Sequence, residues 1–275
     1  MFAAIATFLL LATASLVFQD RPPRVLLDEA HHNVHTVDGS YQQFAKLLTA
    51  NGFGVSPNKQ PFSAEVLREC DVLIIANARA AGRSAPMEER AGPAFSSAEI
   101  EVLAEWVKAG GALLLVTDHW PIGPANSALA HRLGVKMSGG WTDDPEQTTD
   151  RAGHLLFTRK KGSLGDHAIL SGRNDGEEVS EVRSFMGQSL VGPPGSVPLL
   201  RLSPTAVDLL PPEKRRVGAG GKSQAIAFEF GRGRVVVTGE AAMFRVQPDD
   251  RGGKPAFEGN RRFAINVVRW LSRHL

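Results

Sequence analysis

The sequence predicts an α/β fold built on a parallel sheet, and three observations predict it. Three short runs are apolar throughout: Val25–Leu27, the core of Asp71–Asn77, and Ala112–Val116. Unbroken runs of that length read as strands buried on both faces. Between them lie segments whose apolar residues recur every three or four positions, as on one face of a helix. The order strand, helix, strand, helix, strand then implies right-handed crossovers between parallel neighbours.

Taken in order, the first strand runs into Asp28, Glu29, His31, His32 and Asn33. A helix is expected over Gly39–Asn51, with Tyr41, Phe44, Leu47 and Leu48 on its inner face and Asn51-Gly52 closing it. Residues 53–62 read as extended, and Ser63-Ala-Glu65 opens one or two helical turns. After the second strand, residues 79–95 show no period and read as a loop over the strand end. Ser96 and Glu99 have the spacing of a capping box, and Ile100, Leu103, Trp106 and Val107 share the face of the helix that follows. Gly110-Gly111 ends it, and the third strand delivers Thr117, Asp118, His119 and Trp120. A helix is expected over Ala125–Leu133 and a second surface loop over 138–152. Short β-like pieces alternate with turns over 153–203. Ser223–Phe230 and Arg234–Thr238 flank Gly231-Arg232-Gly233, the pattern of a hairpin, whose second arm delivers Gly239 and Glu240. Gly259-Asn260 opens a last helix, with Asn260 as its N-cap, Phe263, Val267, Trp270 and Leu271 facing inward, and Arg261 a candidate partner of Glu240 or a purely structural residue.

A chain of 275 residues, 43% hydrophobic and 22% charged, has the composition of a globular protein. The formal charge is only +2, and no basic stripe is interleaved with aromatics, so nucleic acid is not an expected partner. Residues 2–18 are apolar or small. Their length fits a signal peptide, with Ala12-Thr13-Ala14 as cleavage-site residues, while the lack of a basic start leaves an N-terminal anchor as the competing reading. The organisation expected is a leader over 1–22 and one domain over 23–275, placed in the periplasm or secreted. Membrane contact is expected only through that leader. Cys70 is the only cysteine, so the fold relies on its apolar core rather than on an internal disulfide.

Ligands of open α/β sheets sit beyond the carboxyl ends of the strands. Those ends carry Glu29, His31, Asp118, His119 and Glu240, the candidate catalytic set. Asp28, His32, Asn33, Ser40 and His167 are candidate ligand-binding residues. A mixed His/carboxylate group suits a divalent ion such as zinc or manganese, with His31, His32, Asp118 and His119 as ligands. It suits acid–base catalysis equally well. The bland alternative is that the acids cap loops and helices while the histidines satisfy backbone groups. For His167 that means a packed histidine in a turn, and for Trp120 and Trp141 ordinary packing rather than a platform for a sugar. Gly39 reads as a close-approach or cap residue.

Five stretches carry a family resemblance: Val25–Asn33, Gly110–His119, Gly165–Ile169, Gly233–Glu240 and Asn260–Leu271. Together they resemble the class I glutamine amidotransferase-like superfamily, in a branch of secreted or membrane-associated bacterial proteins. The resemblance implies a flavodoxin-like three-layer sandwich, mostly parallel, with an antiparallel edge hairpin. It also implies that the stretch containing His167 lies near the site. Members that hydrolyse glutamine place a nucleophilic Cys on a sharp turn after the strand matching Ala112–Val116. Here that turn reads Thr117-Asp118-His119-Trp120, and Cys70 precedes a different strand. A thiolate is the attacking species in that chemistry, so glutaminase activity is not expected. Three functions stay open: a domain binding a small polar ligand, a hydrolase using the Asp/Glu/His cluster with or without a metal, and a structural scaffold.

Overall fold

A computed structural model describes residues 21–149, 151–246 and 257–275. The leader lies outside the described residues except for its last two positions. The first half alternates as the sequence predicts: β1 (Arg24–Asp28), α1 (Gln42–Ala50), β2 (Gly54–Asn58), α2 (Ala64–Arg68), β3 (Val72–Ala76), α3 (Met87–Arg90), α4 (Ser97–Lys108), β4 (Ala112–Val116) and α5 (Ile122–Arg132). The second half is mostly strands: β5 (Lys136–Met137), β6 (Trp141–Asp143), β7 (His154–Thr158), then α6 (Ala168–Ser171), β8 (Glu181–Phe185), β9 (Leu190–Val191), β10 (Val197–Arg201), β11 (Val207–Leu210), β12 (Arg215–Gly218), β13 (Ser223–Phe230) and β14 (Gly233–Thr238). Helix α7 (Glu258–Leu271) closes the chain. Among the described residues no helix is long and apolar enough to cross a membrane.

The central sheet runs β2-β1-β3-β4-β14, all parallel, and continues antiparallel through β13 to β9 and β5, with β10 also on β13. With β14 as the fifth parallel strand, this is the flavodoxin strand order, whose reversal point lies between β1 and β3. The hairpin is where predicted, turning at Gly231-Arg232 with Gly231 at φ +62°. Its β14 arm is the last parallel strand, apolar on both faces with Val235, Val236 and Val237 buried, and β13 begins the antiparallel end of the sheet.

Each central strand sends alternate residues to opposite faces. Val25, Leu27, Ile74 and Leu114 pack with Phe44 and Leu48 of α1 and Phe263 and Val267 of α7. Leu26, Leu73, Ile75, Leu113 and Leu115 pack with Leu67 of α2, Leu103 of α4 and Leu129 of α5. These two apolar layers, each side chain stabilising by about 1.5–3 kcal/mol when fully buried, hold the strand ends in register. The three-layer sandwich is therefore the architecture of the chain.

Some boundaries move. The first helix begins at Gln42 because the chain turns first at Gly39, where a Cβ would collide with Thr36 Oγ1. Residues 79–95 hold the short α3, and 138–152 contribute β6 to a small sheet with β11 and β12. Helix α7 starts after Phe257, and Asn260 is not its cap. The Asn260 amide instead accepts from Arg183 N and donates to Arg183 O, both at 2.8 Å, tying α7 to β8.

Candidate functional site

The carboxyl ends of the parallel strands carry two polar clusters. The first is closed. Asp28, buried at the end of β1, accepts from Asn33 Nδ2 at 2.9 Å and bonds His31 Nδ1 at 2.9 Å. The other ring nitrogen, His31 Nε2, lies 2.8 Å from Glu99 Oε1. Phe62 and Phe95 flank the ring, with centroids 4.7 and 4.8 Å away. Glu99 completes the capping box on Ser96 and also accepts from Phe62 N. Burial opposes charge on His31, but the bonds and attraction of Asp28 and then Glu99 outweigh it and raise its pKa. Burial likewise opposes charge on Glu99, yet the N–H of Ser96, the His31 ring and the Ser96 hydroxyl hold it at about 2. The cluster is an imidazolium clamped between carboxylates, bracing the β1 loop against the start of α4.

The second cluster is partly open. Asn77, in the left-handed region at φ +53° just after β3, donates from Nδ2 to Asp118 Oδ2 at 2.6 Å and accepts from Asp118 N at 2.9 Å. Asp118 Oδ1 accepts from Ala241 N, and Tyr41 donates its hydroxyl to Ala241 O. Asn77 Nδ2 also approaches His35 Nε2 at 3.3 Å, which leaves His35 Nδ1 as donor to Ser40 Oγ at 2.6 Å. Burial and then the charge of Arg245 depress His35 to about 4, so the ring is neutral at physiological pH. Glu240 is buried, its oxygens accepting from Ala242 N and Met243 N. Burial first, then the charge of Asp118, push Glu240 far above the usual carboxyl range. Burial raises Asp118 to about 6 against the bonds from Asn77 and Ala241. The charge of each acid therefore disfavours ionisation of the other. Asp118, His119 and Trp120 keep part of their surface exposed.

Of the residues singled out from sequence, Asp118, Glu240 and Ser40 meet at this rim, while Asp28, His31 and Asn33 belong to the brace. Glu29 joins neither, because its carboxylate accepts from Val37 N within its own loop. His32 is exposed at φ +47°. His119 turns its Nδ1 to Trp120 O at 2.7 Å and packs on Trp141 at 5.1 Å, and burial lowers its pKa. His167 is at the opposite end of the sheet, capping α6 through Ile169 N and packing on Trp270 of α7. Arg261 pairs with Glu258 one turn earlier, not with Glu240, whose oxygens are already taken by backbone. The proposed metal set does not assemble. Both nitrogens of His31 are engaged, His119 faces a carbonyl and His32 faces outward. Among the described residues no three His, Cys, Asp or Glu side chains group as a metal site.

Three participants were missed in the sequence. Asn77 is the hinge of the rim, and an Asn immediately after an apolar strand is its only signal. Glu99 passed as a cap alone. Gln188, fully buried, donates from Nε2 to Thr117 O and Asp118 O and so fixes the turn after β4. No element pattern points to a Gln in the short pieces before β9.

The turn after β4 has no residue at positive φ, so it is not a strained nucleophile turn. Positive φ at these strand ends falls instead after β3, at Asn77, and after β1, at His32. Cys70 is buried at the other end of the sheet, and burial pushes its thiol up to about 12.

No protein-family model and no curated protein matches the sequence. Solved structures do match in shape. The N-terminal domain of mmIFT52 aligns with a TM-score of 0.62 at 17% identity, covering 90% of this chain and 97% of that one. Cytoplasmic protein STM1381 from Salmonella typhimurium LT2 aligns with a TM-score of 0.54 at 15% identity, covering 90% and 98%. A ThuA-like protein from Parabacteroides merdae aligns at 0.46 and 13% identity, covering 92% and 90%, a likeness too loose to argue from. At these identities the first two define the class as a fold: a flavodoxin-ordered α/β domain.

Proposed function

We propose that the chain is an extracytoplasmic, amidotransferase-like domain that binds a small polar ligand at the strand carboxyl ends and does not hydrolyse glutamine. The observation that carries the reading is the convergence of buried Asn77 and Glu240 with partly exposed Asp118, from three different strand ends, on one rim. Partly exposed Asp118 offers a polar ligand a hydrogen-bonding group, neutral His35 with Ser40 extends the polar set, and buried Glu240, bonded to backbone, acts through its influence on Asp118. The sole thiol is buried at the far end, which supports the absence of glutaminase chemistry. The apolar leader supports the extracytoplasmic placement, with membrane contact confined to it, and the near-neutral charge supports the absence of a nucleic-acid partner.

A scaffold role is the second reading, favoured by the Asp28–His31–Glu99 brace, whose side chains already satisfy one another. The metal-assisted alternative is not carried forward, since its ligands do not come together.

Purified protein given glutamine is expected to release no ammonia above a heat-killed control. In a thermal-shift panel of amino acids, sugars, nucleotides and small organic acids, at least one compound is expected to stabilise the wild type and not Asp118→Asn. Ammonia release would overturn the first half of the reading. Equal stabilisation of both proteins by every active compound would overturn the second and leave the scaffold role.

A further inference from the structure

The loop after β3 carries Arg79, Arg83 and Arg90. Arg79 is only 9% exposed, and its one side-chain bond is from Nε to His32 O at 2.8 Å. Arg90 has a buried Nε with no partner. The backbone holds the two close, since Ala80 N donates to Arg90 O at 3.3 Å, while Arg79 N donates to His31 O at 2.9 Å. Among the described residues no carboxylate forms an ion pair with any of the three. Burial, then the charges of Arg90 and Arg83, push the Arg79 guanidinium below its ordinary pKa, with no acid among the causes. Glu88 and Glu89 of α3 are the carboxylates nearest in sequence, and both are exposed. A nearly buried guanidinium with two like-charged neighbours and no counter-charge costs free energy unless something compensates it. The planar fork of Arg is matched by an oxyanion.

The location is informative. Arg79 follows β3 and His32 follows β1, so the cluster stands over the β1/β3 reversal of strand order, where open α/β sheets take their ligands. Asn77, the hinge of the rim, is two residues before Arg79. We propose that Arg79, Arg83 and Arg90 bind an oxyanion, the phosphate or carboxylate group of a small ligand, at the β1/β3 crevice. This deepens the ligand-binding reading by giving the ligand an anionic end, and it rests on that reading only for the ligand being small.

The test is calorimetric and thermal-shift titration of the whole protein with sodium phosphate and, separately, sodium acetate, against sodium chloride at equal ionic strength. Phosphate or acetate is expected to stabilise the wild type beyond chloride, and whichever acts identifies the group. Arg90→Gln is expected to weaken that binding about tenfold, the equivalent of about 1.4 kcal/mol. The same substitution is expected to raise the melting temperature in chloride alone, by relieving repulsion. Asp118→Asn is expected to keep the anion response, which separates this inference from the rim. Failure of both anions to exceed chloride would overturn the inference, as would an unchanged response in the Arg83→Gln/Arg90→Gln double variant. Either result would leave the Asp118 panel test standing.

Discussion

Both ring nitrogens of His31 are engaged, so its removal takes the charged partner from buried Asp28 and from half-buried Glu99. His31→Ala is expected to cost about 3 kcal/mol, the lower end for breaking a buried pair by one partner, read from urea unfolding at pH 6. A loss under about 1 kcal/mol, the range of exposed pairs, would contradict the brace. The sign of its pH dependence follows from its raised pKa. The folded state holds the His31 proton more tightly, so the stabilisation is full below the ordinary value of 6.5 and is lost as pH rises through the raised folded value. Glu99 behaves oppositely. Its contribution is full above its ordinary 4.5 and is lost as pH falls through about 2. At the rim, Asp118 is raised from 3.8 to about 6, so its contribution is full below 3.8 and disappears as pH rises through 6. Carbon-detected NMR of the side-chain carboxyls is expected to show a midpoint near 6 for Asp118 and a higher one for Glu240. Two midpoints below 5 would contradict the burial and mutual repulsion argued for the pair. Asp28 and Asp118 follow apolar strands in the same way, yet one is sealed and the other partly open. Sequence position gives the strand end; the direction of the side chain depends on partners such as Asn33 or Asn77, which no spacing rule selects.

At the scale of elements, what is local in the chain was legible and what is distant was not. Ser96 and Glu99 form the predicted capping box because both halves lie within four residues. The bond from Glu99 to His31 spans 68 positions and leaves no mark on either segment. Asn260 was misread for a related reason: an Asn beside a helix start fits a cap, but its amide is used across 77 positions by β8. The join between α4 and β14 can be tested at Gly233, where a Cβ would strike the carbonyls of Val107 and Gly111. Gly233→Ala is expected to destabilise by about 2 kcal/mol, as overpacking against fixed backbone does, with a matching drop in the chemical-denaturation midpoint. No change would mean that β14 and the end of α4 are not held as tightly as described.

At the scale of the molecule, the strand order 2-1-3-4-5 places the ends of β1, β3, β4 and β14 side by side, and this brings the rim and the arginine cluster to one edge. The alternating first half was readable because each buried strand is an unbroken apolar run between helical segments. The antiparallel half was not, since its strands are short and pair with distant partners, as β6 does with β11. The reading of residues after the strands as one constellation was half right in space: Asp118 and Glu240 converge, while Glu29 turns to Val37. The central claim is that this rim takes a ligand. It is tested most directly by nitrogen–proton correlation spectra of the assigned protein, titrated with the compound most active in the panel. The account predicts that the shifts concentrate on the backbone amides of Asn77, Asp118 and Ala241 and vanish in Asp118→Asn; shifts confined to the far end of the sheet, around Cys70 and Trp270, would contradict it.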